Sequence, residues 1–234
     1  MIGHTGSVYA LDTGIESHQL FSGSSDKFVT LWNLQNLSSE KFAAQFPDII
    51  YSICHITEKK LLFAGTSTGT IHILDLENKQ EVKILQHHTG PVFDIKYSLI
   101  ADCFYSASAD GTLAIGSLEN LIVTKIKKLC SEKVRSMDVS KKEIAVACGD
   151  GTVRIFDLSS LSERKVFTAH NMSANVVKFH PSGTFLLSGG KDAHLNIWNK
   201  EYELVKSIPA HNFAIYSIVF SPEGNYFATA SRDK

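Results

Sequence analysis

Ser24-Ser25-Asp26-Lys27-Phe28-Val29-Thr30-Leu31-Trp32-Asn33 decides the reading of this chain. It opens with a tight-turn signal and closes with a strand that ends on a tryptophan–asparagine pair. The pair recurs, with substitutions, as Leu74-Asp75, Gly116-Ser117, Phe156-Asp157 and Trp198-Asn199, in steps of 42, 42, 40 and 42 residues. The turn recurs as TSTG, SADG, CGDG, GKDA and SRDK. Its key residues are Asp26, Thr68, Asp110, Asp150, Asp192 and Asp233, in steps of 42, 42, 40, 42 and 41. Six turns at one period make this a repeat sequence.

Each period holds short runs rich in Val, Ile, Phe and Thr, separated by Gly, Asp and Asn turns. The first gives Val8–Leu11, Leu20–Gly23, Phe28–Trp32 and Lys41–Phe46. The fifth gives Val176–Phe179, Phe185–Ser188, His194–Trp198 and Leu204–Ile208. No run sustains a helical period. Four strands in a period of about 40–45 residues imply propeller blades. The expected architecture is all-β: a β-propeller of four-stranded antiparallel blades, five complete repeats plus a partial sixth. The repeats fall near 3–46, 47–87, 88–129, 130–168, 169–209 and 210–234 of a single domain.

The residues also resemble a known family. Gly3-His4 with Trp32-Asn33, Ala169-His170 with Trp198-Asn199, and Ala210-His211 with Asp233 are similar to the GH…WD signature of WD-repeat proteins. That resemblance implies a hydrogen-bonded tetrad of His, Ser or Thr, Asp and Trp in each well-formed blade. Complete sets are His4, a serine of the Ser22–Ser24 run, Asp26 and Trp32, and His170, Ser188, Asp192 and Trp198. A third set has His88, Ser106 or Ser108, and Asp110, with Gly116 in place of tryptophan. His211 and Asp233 begin a fourth. Repeats two and four depart from the pattern, with Phe46 and Cys130 at the histidine position and Leu74 and Phe156 at the tryptophan position. The tetrad is sound chemistry in itself. A buried indole N–H needs an acceptor, a serine hydroxyl supplies one, and the imidazole carries the chain on to the aspartate.

The resemblance implies seven blades in a closed ring, so the chain reads as an incomplete propeller or an open six-blade arc. Its last strand, Tyr226–Ala230, is then an unpaired edge able to self-associate.

Other chemistry is weakly supported. The net charge of −1 and pI near 6.8 argue against a nucleic-acid surface. No stretch reads as a secretory signal or a membrane span, so a cytoplasmic setting is expected. Cys54, Cys103, Cys130 and Cys148 have no metal or redox spacing and read as buried structural thiols. Gly65-Thr66-Ser67-Thr68-Gly69 matches a hydrolase elbow but falls in a hairpin, with a strand after it where the elbow needs a helix. His87-His88 looks like a metal pair, yet adjacent residues do not readily face one ion, and His88 keeps register with His4. No catalytic, metal or cofactor residues are assigned.

Binding is the stronger expectation. In this family the first strand of each blade lines the channel, and the loop before it shares one face with the turn between the second and third strands. Counting from the apolar residue that opens each first strand, the next residues are Tyr9, Tyr51, Phe93, Arg135, Val177 and Tyr216. Two residues earlier stand Ser7, Ile49, Pro91, Lys133, Asn175 and Ala214. Just before the turn aspartate stand Ser25, Ser67, Ala109, Gly149, Lys191 and Arg232. An aromatic sector (Tyr9, Tyr51, Phe93, Tyr216) and a basic sector (Lys133, Arg135, Lys191, Arg232) result. Aromatic and arginine side chains are the types that anchor protein partners. The expected function is a non-enzymatic scaffold for a protein or peptide, with no nucleic acid or membrane partner. The alternatives are a propeller enzyme with a hydrolase-type channel site and a purely structural repeat region of a larger protein.

Overall fold

The computed structural model describes residues 3–158 and 160–233. These carry 22 strands, one 3-10 turn at Thr57–Lys59 and no α-helix. The chain divides into two compact units. One takes in the chain up to Tyr97 with Asp102–Asp110 and Ala114–Ile126. The other takes in Ser98–Ala101, Gly111–Leu113 and everything from Lys127 on.

The first unit holds two complete antiparallel sheets and most of a third. They are β1 (Val8–Thr13), β2 (Gln19–Ser24), β3 (Phe28–Asn33) and β4 (Ser38–Gln45); β5 (Ile50–Ile56), β6 (Leu61–Thr66), β7 (Thr70–Asp75) and β8 (Gln80–Gln86); and β9 (Val92–Ser98), β10 (Cys103–Ser108), β11 (Thr112–Ser117) and β12 (Ile122–Lys128). The second unit holds β13 (Val134–Val139), β14 (Glu143–Cys148), β15 (Thr152–Asp157) and β16 (Glu163–Thr168); β17 (Ala174–Phe179), β18 (Leu186–Gly190), β19 (His194–Trp198) and β20 (Leu204–Pro209); and the pair β21 (Ile215–Phe220) and β22 (Phe227–Ser231). Every sheet follows chain order, the up-and-down meander that tight polar turns favour.

Strand limits shift slightly from the sequence reading. β4 starts at Ser38, three residues before Lys41, because the Asn33 side chain accepts the Gln35 and Asn36 N–H groups and closes a short turn. Phe46 lies past the end of β4, in the buried place that histidine takes in other repeats.

Sheets within a unit stack first strand against first and second strand. β5 packs on β1 and β2, β17 on β13 and β14, and β21 on β17 and β18. Small residues on the second strands permit this. A Cβ on Gly23 would fall 2.6 Å from Ile50 Cγ2, and one on Gly189 would fall 2.7 Å from Ile215 Cγ2. Phe21, Val29, Ile50, Ile53 and Leu62 form the core between the first two sheets, and Ala147, Ile155, Val177, Leu186 and Trp198 that between the fourth and fifth.

Loops are pinned by the tetrads. His4 Nδ1 lies 2.9 Å from Asp26 Oδ2, His4 Nε2 lies 2.6 Å from Ser22 Oγ, and Trp32 Nε1 donates to the same hydroxyl at 2.6 Å. The indole can only donate, so the Ser22 proton turns to His4 Nε2 and the imidazole N–H at Nδ1 points at the carboxylate. Asp26 also accepts the Thr5 and Phe28 N–H groups. The fifth repeat repeats this, with His170 to Asp192 at 3.0 Å, His170 to Ser188 at 2.9 Å and Trp198 to Ser188 at 2.9 Å. In the sixth, His211 bonds Asp233 at 2.8 Å and Thr229 at 2.8 Å. Ser22, rather than Ser24, is the first tetrad's hydroxyl.

In the third repeat the hydroxyl is Ser106, 2.8 Å from His88 Nε2, while His88 Nδ1 bonds Asp110 at 3.2 Å. Tryptophan is replaced by two residues. Phe104 fills its space: a Cβ on Gly116 would lie 2.0 Å from the Phe104 ring. His87 supplies its hydrogen bond, with Nε2 3.1 Å from Ser106 Oγ. His87 Nδ1 is buried and has no hydrogen-bond partner, the arrangement of a neutral ring protonated at Nε2. The second repeat substitutes apolar packing, with Phe46 buried against the core and edge-on to His72.

Two outcomes follow from these networks. Trp198→Ala is expected to destabilise more than Phe156→Ala. Each loses about 3–5 kcal/mol of packing, but Trp198 also removes the donor to Ser188, adding about 1–3 kcal/mol. Denaturant melts decide, and equal losses would mean the network adds nothing to packing. The second outcome concerns pH. Burial holds His87, His88 and His170 below the ordinary histidine range, His87 at about 4, and the aspartates beside His88 and His170 do not offset it. The unfolded chain therefore binds more protons than the folded one between about pH 6.5 and 4, and stability falls as pH falls through that window. His87 alone accounts for on the order of 2–3 kcal/mol. His87→Gln, which keeps a donor without titrating, is expected to flatten the pH dependence of melting there. An unchanged slope would mean His87 titrates normally.

Candidate binding face

A bulge sets the direction of one side chain at the start of five of the first strands, β1, β5, β13, β17 and β21. In β1 the pairing runs from Val8↔Ser24 to Ala10↔Gly23, so Tyr9 is the extra residue. The same irregularity singles out Tyr51 in β5, Arg135 in β13, Asn175 in β17 and Tyr216 in β21. Bulges re-aim side chains out of the regular pleat.

The fifth repeat corrects the sequence reading. Val177 is the residue expected at this position, but it is buried in the core against Trp198. Asn175 stands there instead, because β17 opens at Ala174, four residues after His170, as β1 opens four residues after His4. Taking Val176 as the opening residue displaces the count by two. The adjoining rim position shifts likewise, from Asn175 to Ser173. Its carbonyl accepts the Lys191 N–H at 2.8 Å, as the carbonyls of Ser7, Ile49, Pro91 and Lys133 accept from Ser25, Ser67, Ala109 and Gly149. In these five repeats the clamp joins the loop before the first strand to the turn between the second and third. The spacing from each histidine is the signal that finds both residues.

Within the first unit the bulge residues Tyr9 and Tyr51 meet each other, and Phe93, at the same position of the third repeat, meets Tyr51. The Tyr9 and Tyr51 ring centroids are 4.8 Å apart, and Tyr51 and Phe93 meet edge to face at 5.6 Å. Tyr9 is 50% exposed, and Tyr51 and Phe93 are half-buried. A tilted aromatic ladder with an open end can receive an apolar side chain or a cation on its ring faces.

The second unit places Tyr216, 56% exposed, at the bulge of β21. Lys133 is exposed before β13, and Arg135 is half-buried at the bulge of that strand. Lys191 and Arg232 are exposed in the turn after β18 and just past β22. Asn175 donates to the Ile215 carbonyl at 3.1 Å, tying neighbouring first strands together there. Lys133 and Lys191 are themselves members of the clamps, through the Lys133 carbonyl and the Lys191 N–H.

The remaining sequence candidates resolve as structure. Gly65 and Thr66 end β6, Ser67–Gly69 form its turn, and β7 follows. Among the described residues, no three His, Cys, Asp or Glu side chains converge as a metal site, and no helix is long and apolar enough to cross a membrane. Cys54 and Cys148 are buried as expected, but Cys103 and Cys130 are only half-buried.

Comparison with known proteins supplies the family. The family model "WD domain, G-beta repeat" matches residues 1–33, 79–115, 161–199 and 202–234. The chain is 31% identical over 116 residues to "Probable cytosolic iron-sulfur protein assembly protein 1" of Eremothecium gossypii, covering 46% of this chain and 35% of that protein. It is 33% identical over 132 residues to a component of chromatin assembly factor 1 from Gallus gallus, covering 47% and 22%. It thus spans about a third or less of these relatives' length. Among solved structures, the computationally designed Ika8 protein superposes with a TM-score of 0.82 at 17% identity, covering 99% of this chain and 70% of that one. U3-55K gives 0.80 at 18%, covering 88% and 65%. These two likenesses concern fold. With the signature residues, the sheet meander and the family match in agreement, the chain belongs to the WD-repeat family of β-propeller proteins.

Proposed function

We propose that this protein is a non-enzymatic scaffold, working in the cytoplasm, that holds a protein or peptide on the face formed by the strand bulges and the clamped turns. The contact of Tyr9, Tyr51 and Phe93 carries the reading: three aromatic rings from three consecutive repeats lie in one row with one end exposed. Relatives named for assembly support it, including one named cytosolic. The ladder suits an apolar or cationic anchor, each aromatic contact adding about 0.5–2 kcal/mol when desolvated. In the second unit, Lys133, Arg135, Lys191 and Arg232 suit a carboxylate or phosphate group.

The test is a random peptide library screened against the wild type and Tyr51→Ala/Phe93→Ala. Both rings are half-buried, so the double variant is expected to fold. Hits are expected to carry an apolar or basic anchor with an acidic flank, to weaken as salt screens charges beyond about 8–10 Å, and to vanish in the variant. Hits that persist, or that map to the other ends of the strands, would reduce the ladder to packing.

Self-association through β22 belongs to the same proposal, since among the described residues this strand pairs only with β21. Light scattering on the 234-residue chain is expected to show concentration-dependent oligomers. Persistent monomer at high concentration would contradict it.

A further inference from the structure

In the fourth repeat the pinned loop is built from sulfur. Cys130 takes the place of His4, four residues before its first strand, and Cys148 takes the place of Ser24, two residues before the turn aspartate. These two positions converge in the fold. At the fifth repeat the second is Gly190, and a Cβ added there would lie 2.4 Å from His170 Nδ1. In the fourth repeat both positions carry thiols, close enough that each shifts the ionisation of the other. Cys130 in turn lies 3.1 Å from the Glu132 carbonyl, to which its own S–H donates.

The two thiols differ in reach. Cys148 is fully buried at the end of β14, while Cys130 is half-buried in the loop after β12. The adjacent Cys148 side chain outweighs burial and holds Cys130 at about 7, with the nearby Arg154 guanidinium helping. The same contact and burial push Cys148 far up. Cys54 and Cys103 are both raised by burial. One accessible thiol that ionises near neutrality, with a protonated thiol against it, is the arrangement of an oxidisable cysteine beside a resolving one.

We propose that Cys130 and Cys148 form a peroxide-oxidised pair, closing into a disulfide that locks the β12–β13 loop onto the end of β14. The Cys130 thiolate attacks one peroxide oxygen, the O–O bond breaks, and hydroxide leaves, giving a sulfenic acid on Cys130. The Cys148 sulfur then attacks the Cys130 sulfur. The S–S bond forms, the S–O bond breaks, and the departing oxygen takes the Cys148 proton and leaves as water. The proton first released by Cys130 converts the hydroxide to a second water. Two thiols are oxidised and one hydrogen peroxide is reduced to two waters. The bond would replace, covalently, the His-to-turn link that other repeats make with hydrogen bonds. It would fix the loop that carries Lys133 and leads to Arg135.

Alkylation kinetics and peptide mapping of the 234-residue chain test this. At pH 7 Cys130 is expected to alkylate at least about tenfold faster than Cys103, following its larger thiolate fraction. Hydrogen peroxide is expected to yield a Cys130–Cys148 crosslinked peptide, reversed by dithiothreitol, and to raise Tm by about 4 °C or more. Cys148→Ser is expected to stop at a sulfenic acid on Cys130, captured by a dione probe. The proposal is overturned if Cys130 alkylates no faster than Cys103 in the wild type. It is also overturned if oxidised wild-type chain carries Cys130 as a sulfinic acid or an intermolecular disulfide while Cys148 stays alkylatable.

Discussion

The hydrogen bond from a histidine Nδ1 to the carboxylate of a turn 22 residues on fixes where each well-formed repeat begins. The histidine lies in the loop before the first strand, and the aspartate in the turn between the second and third. Bonding them brings both segments to one end of the sheet. The hydroxyl 18 residues after the histidine, from Ser22, Ser106, Ser188 or Thr229, ties the ring to the second strand. A buried network of this kind is favourable only when every member is satisfied. The third repeat shows that requirement at work: loss of tryptophan is met by Phe104 for volume and His87 for the donor.

From this link the face follows. The first strand opens four residues after the histidine, and its second residue is bulged toward the same end. The interval from histidine to bulge is therefore constant, and it delivers Tyr9, Asn175 and Tyr216 after His4, His170 and His211, with Phe93 at the same interval after His88. Where histidine is absent the interval survives by other means. Phe46 precedes Tyr51 as a buried apolar plug, and Cys130 precedes Arg135 as half of a thiol pair. Three ways of holding one loop leave three different chemistries at the same position of the repeat.

Much of this is legible in the sequence because repetition exposes register. The spacing of Asp26, Asp110, Asp150, Asp192 and Asp233 places the turns, and Val, Ile and Phe runs place the strands between them. Tetrad membership follows from donor and acceptor counting, although the choice between Ser106 and Ser108 needs the pleat. The fifth repeat misleads because polarity is a poor guide to a strand's first residue. Ala174 is small and Asn175 polar, so Val176 looks like the opening, while the bulge leaves no mark in hydropathy. His87 gives no signal because its role exists only beside Gly116, which is distant in sequence. Cys130 reads as a buried hydrophobe because its neighbour Cys148 lies across a hairpin.

If the histidine-to-turn link is what orders the face, backbone groups bonded to the turn carboxylates should resist exchange although their residues are exposed. Thr5, Thr89, Asn171 and Asn212 N–H groups all bond to those carboxylates, at 2.9, 2.9, 3.1 and 2.7 Å. Ser131 follows Cys130 in the corresponding place. Residue-resolved amide hydrogen exchange under reducing conditions is the direct measurement. The account predicts slow exchange at Thr5, Thr89, Asn171 and Asn212, fast exchange at Ser131, and loss of protection at Asn171 alone in His170→Ala. Equal, fast exchange at all five, or protection of Asn171 that survives His170→Ala, would contradict it.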